Sequence, residues 1–254
     1  MRIASLFPDL LGTYGDGGNA VVLAQRLRWR GLAAELVEVP SGHPIPDSCD
    51  IYLLGGGEDA PQIEAARAIG PDGPVHRAID AGAVGLAVCA GLQIAGRCFH
   101  SGDRIVEGLG LLDCETVRSG EPRAVGELLA DPVEELGLPA LTGFENHGSR
   151  THLGPGARPM ARVRAGVGNG DRTEGVLASR GRGKVVGTYL HGPALARNPA
   201  LADLLLAWVV GSGLDPLDDR EIDALRAVRI EAVEQGHLDG VAHRTLRDRL
   251  LRRS

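Results

Sequence analysis

Apolar residues in the first hundred positions follow two alternating periods. Short apolar runs bounded by turn residues, at 2–7, 33–39, 50–54 and 84–88, read as strands. Between them the stretches 19–30, 61–69 and 75–81 place apolar residues at helical spacing. Strands alternating with helices in this order predict an α/β fold, a mainly parallel sheet with helices on both faces. Helix 19–30 follows Gly17 and Gly18, takes Asn19 as its N-cap, and sets Val22, Leu23, Leu27 and Trp29 near one face. Strand 50–54 runs into Gly55, Gly56 and Gly57, and a further helix starts at Ala90, directly behind strand 84–88.

From about residue 115 the pattern changes to β-like pieces separated by Gly, Pro and Asn: 116–118, 124–129, 160–167, 176–179 and 184–190. An antiparallel extension of the sheet accounts for them most simply. Residues 199–210 form a strongly apolar helix that returns the chain to the core. Beyond Leu214 the chain is highly charged, with Ile222, Leu225 and Val228 at helical spacing and an Arg-rich stretch at 244–253. The expected division is therefore a domain over 1–211 and a charged helical C-terminal extension over 212–254. The extension reads first as a solvated helical hairpin and second as a surface for docking a partner.

Composition narrows the class without naming a chemistry. The chain has 254 residues, 43% hydrophobic and 24% charged, which suits a globular protein and excludes disorder and collagen-like repeats. A formal net charge of -6 argues against a dedicated nucleic-acid binder, which needs a basic surface to neutralise phosphates. No apolar run approaches the ~18 to 20 residues of a membrane helix, and the start, Met1 to Phe7 followed by Pro8 and Asp9, is too short for a signal peptide, so a cytoplasmic location is expected. Cys49, Cys89, Cys98 and Cys114 lack C-x-x-C spacing; four free thiols and no metal site are expected.

The chemistry concentrates at Val84-Gly85-Leu86-Ala87-Val88-Cys89-Ala90-Gly91-Leu92-Gln93. An apolar strand ending in Cys and turning straight into a helix is the layout of a nucleophile elbow. The sharp turn strains the nucleophile and tolerates little bulk beside it, which Ala87 and Gly91 satisfy. A helix N-terminus favours thiolate, and its first N–H, that of Ala90, can meet a developing oxyanion together with a backbone N–H of Gly56 or Gly57. The plainer reading makes Cys89 a buried small hydrophobe. A Cys nucleophile needs a base. His191 has the best context, at the end of strand 184–190 and before Gly192-Pro193. His147 in Gly143-Phe144-Glu145-Asn146-His147-Gly148 competes with it. His43, His76, His100, His152, His237 and His243 read as solvated or capping residues.

A glycine-rich loop, a Cys-x-Gly-x-Gln elbow (Cys89, Gly91, Gln93) and a later strand-end His resemble the class I, triad-type glutamine amidotransferases. Tyr14-Gly15-Asp16-Gly17-Gly18-Asn19, the Gly143 to Gly148 segment and Thr188-Tyr189-Leu190-His191-Gly192-Pro193 look like the cobyric-acid-synthase-like branch. Within it they are most like the glutaminase subunits of lipid II isoglutaminyl synthases. The resemblance spans about 1–211. It implies a flavodoxin-like amidotransferase fold, hydrolysis of L-glutamine to glutamate and ammonia through Cys89 and His191, and no cofactor. It also implies a heterodimer with a Mur-ligase-like, ATP-using subunit that amidates the D-glutamate of lipid II to D-isoglutamine. In keeping with that, the chain carries no Gly-x-x-x-x-Gly-Lys-[Ser/Thr].

The resemblance also implies that an Arg just before a β-like segment contacts substrate. That position is Arg123, with Gln93 assisting; the alternative is a surface Arg paired with Glu121 or Glu127. Two positions depart from the family. Pro193 stands where a Glu two residues after the His completes the usual triad, and Gly17 stands where many relatives carry a basic residue. The acid that orients His191 is then expected to be Asp16, on the loop after the first strand, with Glu145 as the competitor. Three rival readings remain: an amidotransferase component of cobyrinate or cobyrate synthesis, a non-catalytic subunit on the same fold with a structural Cys89, and a Cys peptidase.

Overall fold

The computed structural model describes residues 1–12, 15–211 and 213–236. The Arg-rich stretch 244–253, His237, His243 and Tyr14 lie outside the described residues. In chain order the elements begin with β1 (Arg2–Leu6), α1 (Gly18–Trp29), β2 (Glu35–Val39), β3 (Ile51–Leu54), α2 (Asp59–Ile69), α3 (Pro74–Ala81), β4 (Val84–Val88) and α4 (Ala90–Ala95). They continue with β5 (Cys98–Ser101), β6 (Arg104–Glu107), β7 (Cys114–Arg118), β8 (Ala124–Pro132), β9 (Leu141–His147), β10 (Ser149–Leu153), β11 (Ala161–Ala165), β12 (Thr173–Glu174), β13 (Val176–Arg180), β14 (Gly183–Thr188), α5 (Ala194–Arg197), α6 (Pro199–Val210) and α7 (Arg220–Glu234).

The main sheet has six strands in the order β13-β14-β4-β3-β1-β2, parallel except for β13. Every residue of β3 and β4 is buried, so both faces of the sheet centre are covered, as its continuous apolar strands require. The helices pack in two groups, α1 with α5 and α6, and α2 with α4. Local signals set several ends: α3 starts on Pro74 and stops at Gly82, whose φ of 119° only glycine adopts readily, and α6 starts on Pro199 and stops at Gly211.

Two expectations change. The N-cap of α1 is Gly17, not Asn19; the Asn19 side chain instead accepts the Leu195 N–H at 2.9 Å, tying α1 to α5. The antiparallel extension of the main sheet is β13 alone. β14 pairs parallel with β4, and the remaining β pieces build two further four-stranded sheets, β10-β7-β5-β6 and β12-β11-β8-β9. Alternating burial can be read from sequence, but strand partners are chosen by non-local packing.

The described part of the extension, α7, is largely exposed, with Arg226 its one buried residue, and is tied to the domain at two points. Arg226, on α7, is buried and donates to the Ala140 carbonyl, and Arg229 donates to Glu127. The chain before α7 is pinned as well. Arg26 of α1, its side chain 1% exposed, forks onto Asp203 at 2.7 and 2.6 Å and onto Asp219 at 2.8 and 2.7 Å. Burial alone would lower the Arg26 pKa; its two carboxylate partners outweigh that and raise it, so the charge persists in the interior.

Candidate active site

The parallel strands β1, β3, β4 and β14 end on one rim, where ligands bind in open α/β sheets, and the loop after each supplies a functional group. Cys89 follows β4 with φ 52° and ψ -104°, a strained conformation for a residue with a side chain. Its N–H is anchored to Thr188 O at 2.8 Å. Gly91 is forced by the next layer: a Cβ there would lie 2.4 Å from the Leu54 carbonyl oxygen. The helix behind Cys89 has only six residues, so its contribution is the local N–H array rather than a long macrodipole.

His191 follows β14 and is buried. Its backbone pairs with Phe144 of β9, Phe144 N–H to His191 O at 3.2 Å and His191 N–H to Phe144 O at 2.8 Å. Its Nδ1 lies 3.2 Å from Oδ2 and 3.4 Å from Oδ1 of Asp16, on the loop after β1. Burial alone would lower the His191 pKa, but the hydrogen bond to Asp16 and then the neighbouring Cys89 outweigh it and raise it well above the usual range. Three loops thus bring Asp16 onto His191 and set Cys89 beside the same imidazole.

Glu145 takes a different place. It pairs with His147 Nε2 at 3.2 Å and accepts the Val167 and Gly168 N–H groups at 2.7 and 2.9 Å. His147 stacks on Tyr189 with ring centroids 3.8 Å apart. His76, expected as a solvated or capping residue, is buried against the Leu109 carbonyl at 2.7 Å. Among the described residues no cluster of His, Cys, Asp and Glu could hold a metal ion, and all four cysteines are free.

A cavity of about 230 Å³ opens at Cys89, large enough for a free amino acid, with Gly57, Gln62, Ala90, Gln93, Arg118 and Arg123 among its lining residues. Gly57 and Ala90, expected as oxyanion donors, line the cavity beside Cys89. Gly56 does not: its N–H donates to Asp16 Oδ2 at 2.8 Å, so the middle glycine holds the acid rather than the substrate. Gln93 is buried and accepts from the Gln62 side chain at 2.7 Å. Arg123 pairs with neither glutamate proposed for it. Glu121 is taken by Arg150 and Glu127 by Arg197 and Arg229, while Arg123 is held by Asn146. Gln62 had no signal in the sequence beyond a place on α2, and Asn146 stood unmarked inside the Gly143 to Gly148 motif.

Behind His191, Glu174 is fully buried and braces the segment leading to it, accepting from Thr188 Oγ1 at 2.5 Å and from the Tyr189 N–H at 2.9 Å. Burial lifts its pKa from 4.5 to about 7 despite those bonds. The folded chain therefore keeps a proton that the unfolded chain releases between pH 4.5 and 7, so this group's contribution to stability is greatest below that window and falls as pH rises through it. A shift of this size corresponds to a loss of about 3 kcal/mol. Glu174→Gln should flatten the difference in urea-unfolding free energy between pH 5 and pH 7.5; an unchanged pH dependence in the variant would remove Glu174 as its source.

Comparison with known proteins places this geometry. The CobB/CobQ-like glutamine amidotransferase domain matches residues 2–199. The chain is 34% identical over 228 residues to the Staphylococcus aureus lipid II isoglutaminyl synthase (glutamine-hydrolyzing) subunit GatD, covering 88% of this chain and 90% of that one. It is 35% identical over 211 residues to the Streptococcus pneumoniae subunit of the same name, covering 80% and 77%. To the Brucella canis cobyric acid synthase it is 33% identical over 172 residues, covering 63% of this chain but 32% of the other. Among solved structures, the glutaminase domain of Trypanosoma brucei CTPS superposes with a TM-score of 0.51 over 85% of this chain and 96% of that one, at 12% identity, a likeness of fold.

Proposed function

Since the chain belongs to the CobB/CobQ-like glutamine amidotransferase family and is a glutamine-hydrolysing enzyme subunit, we propose that Cys89, His191 and Asp16 are its catalytic group and that its ammonia serves a separate ATP-using ligase. The observation that carries the reading is the hydrogen-bonded His191 and Asp16 pair beside a Cys89 that opens on a cavity the size of an amino acid. Cys89 passes its thiol proton to His191, and its Sγ attacks the carboxamide carbon of L-glutamine. The oxyanion is met by the N–H groups of Ala90 and Gly57. His191, its charged form favoured by Asp16, gives that proton to the departing nitrogen, and ammonia leaves behind a γ-glutamyl thioester. Water, deprotonated by His191, then releases glutamate. Arg123 receives the α-carboxylate, with Gln93 lining the same cavity.

Asp16 stands in for the family's Glu because Pro193, at that position, has no carboxylate to offer His191. Pro193 packs against the loop carrying Asp16, where a Cβ on Gly18 would come within 2.4 Å of the Pro193 ring. The Gly17 departure leaves the loop free of a bulky side chain at the N-terminus of α1.

For the acceptor, the relatives' names point to lipid II. The reading is a heterodimer with a Mur-ligase-like subunit that activates the D-glutamate carboxylate, the product being D-isoglutamine. Matching 88% and 80% of this chain in the lipid II synthase subunits, against 63% in the cobyric acid synthase, favours this acceptor over a corrinoid. Among the described residues no helix is long and apolar enough to cross a membrane. The domain division at 211 and 212 belongs to this proposal too, with α7 available to the partner. The test is glutamate release from L-glutamine by the chain alone and with the ligase, ATP and lipid II. Amidated lipid II is expected only in the full mixture; glutaminase activity with no amidation would refute the acceptor, and no glutamate in either mixture would refute the catalytic assignment.

A further inference from the structure

We infer that Asn146 is the positioning residue that aims Arg123 at the α-carboxylate of glutamine and fixes its distance from the nucleophile; the inference rests on the glutaminase reading above. Arg123 sits on an exposed loop before β8, where a free arginine side chain samples many rotamers and would lose that freedom on binding. Asn146 removes the freedom beforehand. Arg123 Nε donates to Asn146 Oδ1 at 2.6 Å and Nη2 donates to Asn146 O at 3.1 Å, so one edge of the guanidinium is gripped by side chain and main chain of a single residue. With five N–H donors in a rigid fork, this leaves Nη1 and the second hydrogen of Nη2, the end-on pair that receives a carboxylate bidentately.

Asn146 is itself immobile for reasons unrelated to Arg123. On one side Glu145, fully buried, is fixed by the Val167 and Gly168 N–H groups; on the other His147 is clamped between Glu145 and the Tyr189 ring. Two residues back, Phe144 is bridged to His191. The Asn146 carbonyl that accepts from Arg123 also faces Cys89 Sγ, at 4.0 Å. One peptide unit therefore touches both the group that reads the α-carboxylate and the atom that attacks the carboxamide, and the span between them is a property of Asn146. Glutamine and asparagine differ by one methylene along that span, so a fixed span selects side-chain length.

These bonds are exposed and add little to stability, so their loss should show in recognition rather than in folding. The experiment compares wild type, Asn146→Ala, Arg123→Ala and the double variant for L-glutamine and L-asparagine hydrolysis, with thermal melts as a fold control. Asn146→Ser, which keeps a polar group too short to reach Nε, serves if the alanine variant does not fold. Expected for Asn146→Ala is a KM for glutamine raised about tenfold or more with kcat within about threefold, no further rise when it is added to Arg123→Ala, and a reduced glutamine-to-asparagine preference in kcat/KM. An unchanged KM, a loss confined to kcat, or additive effects of the two substitutions would overturn the inference. Wild-type KM in Arg123→Ala would overturn it while leaving the glutaminase reading standing, whereas a wild type inactive both alone and with its ligase would end both.

Discussion

Cys89→Ala is expected to abolish glutamine hydrolysis, lowering kcat by on the order of 10⁴ to 10⁶, while the protein melts with the wild type. The size follows from the role: without Sγ no thioester forms, and removing the nucleophile of a concerted catalytic group leaves only the residual effect of binding and oxyanion donors. The fold should survive because Cys89 is 6% exposed at a turn held by backbone bonds, Cys89 N–H to Thr188 O and Gly91 N–H to Gly55 O, which the substitution keeps. Rates are measured by glutamate release, and glutamine binding to the variant by calorimetry. Binding should persist, since the α-carboxylate site is untouched. Hydrolysis within tenfold of wild type would return Cys89 to the structural role open to any buried cysteine.

The second large effect is expected at the base. His191→Ala should cost ~10² to 10⁴ in kcat, the range of general acid–base assistance. Asp16→Asn should cost less, because the imidazole remains beside the sulfur, but it should carry a distinct mark in its pH profile. Asp16 is the foremost group raising the His191 pKa, so without its charge His191 loses its proton at lower pH. The alkaline limb of kcat/KM should therefore move to lower pH in Asp16→Asn, the direction that follows when the charged form of a histidine loses a carboxylate partner. Asp16 also accepts the Gly56 N–H, and the amide oxygen of Asn can keep that bond, so the loop should hold its shape. Activity of His191→Ala near wild type, or an Asp16→Asn profile superimposable on it, would break the assignment.

Substituting a Pro for the family's acid has a physical counterpart elsewhere in the chain. A histidine in this role needs a carboxylate within hydrogen-bond reach of Nδ1, whichever loop provides it. With Pro193 in the usual position, the loop after β1 can close on the rim because Gly18 has no side chain to strike the proline ring. The place of Asp16 thus depends on a residue distant in sequence from Pro193, Gly18, whose lack of a side chain leaves room for the proline ring.

Much of this was legible in one dimension because it depends on neighbours along the chain. The alternating strands and helices of the first half follow from apolar period, and the ends of α3 and α6 from Pro and Gly. The elbow at Cys89 follows from small residues around a Cys between a strand and a helix, and the structure bears out its strained backbone. The tertiary structure alone decided what depends on residues far apart. Strand order puts β1, β3, β4 and β14 side by side, so that Asp16 rather than Glu145 faces His191 and Glu145 is spent on His147 and two backbone N–H groups. The same packing turned Gly56 from an oxyanion donor into the holder of Asp16, gave Arg123 to Asn146 instead of a glutamate, and drew the charged C-terminal helix onto Glu127 and Ala140. A side chain's partner is set by the sum of all packing in the folded chain, and only the local share of that sum is written in the spacing of residues.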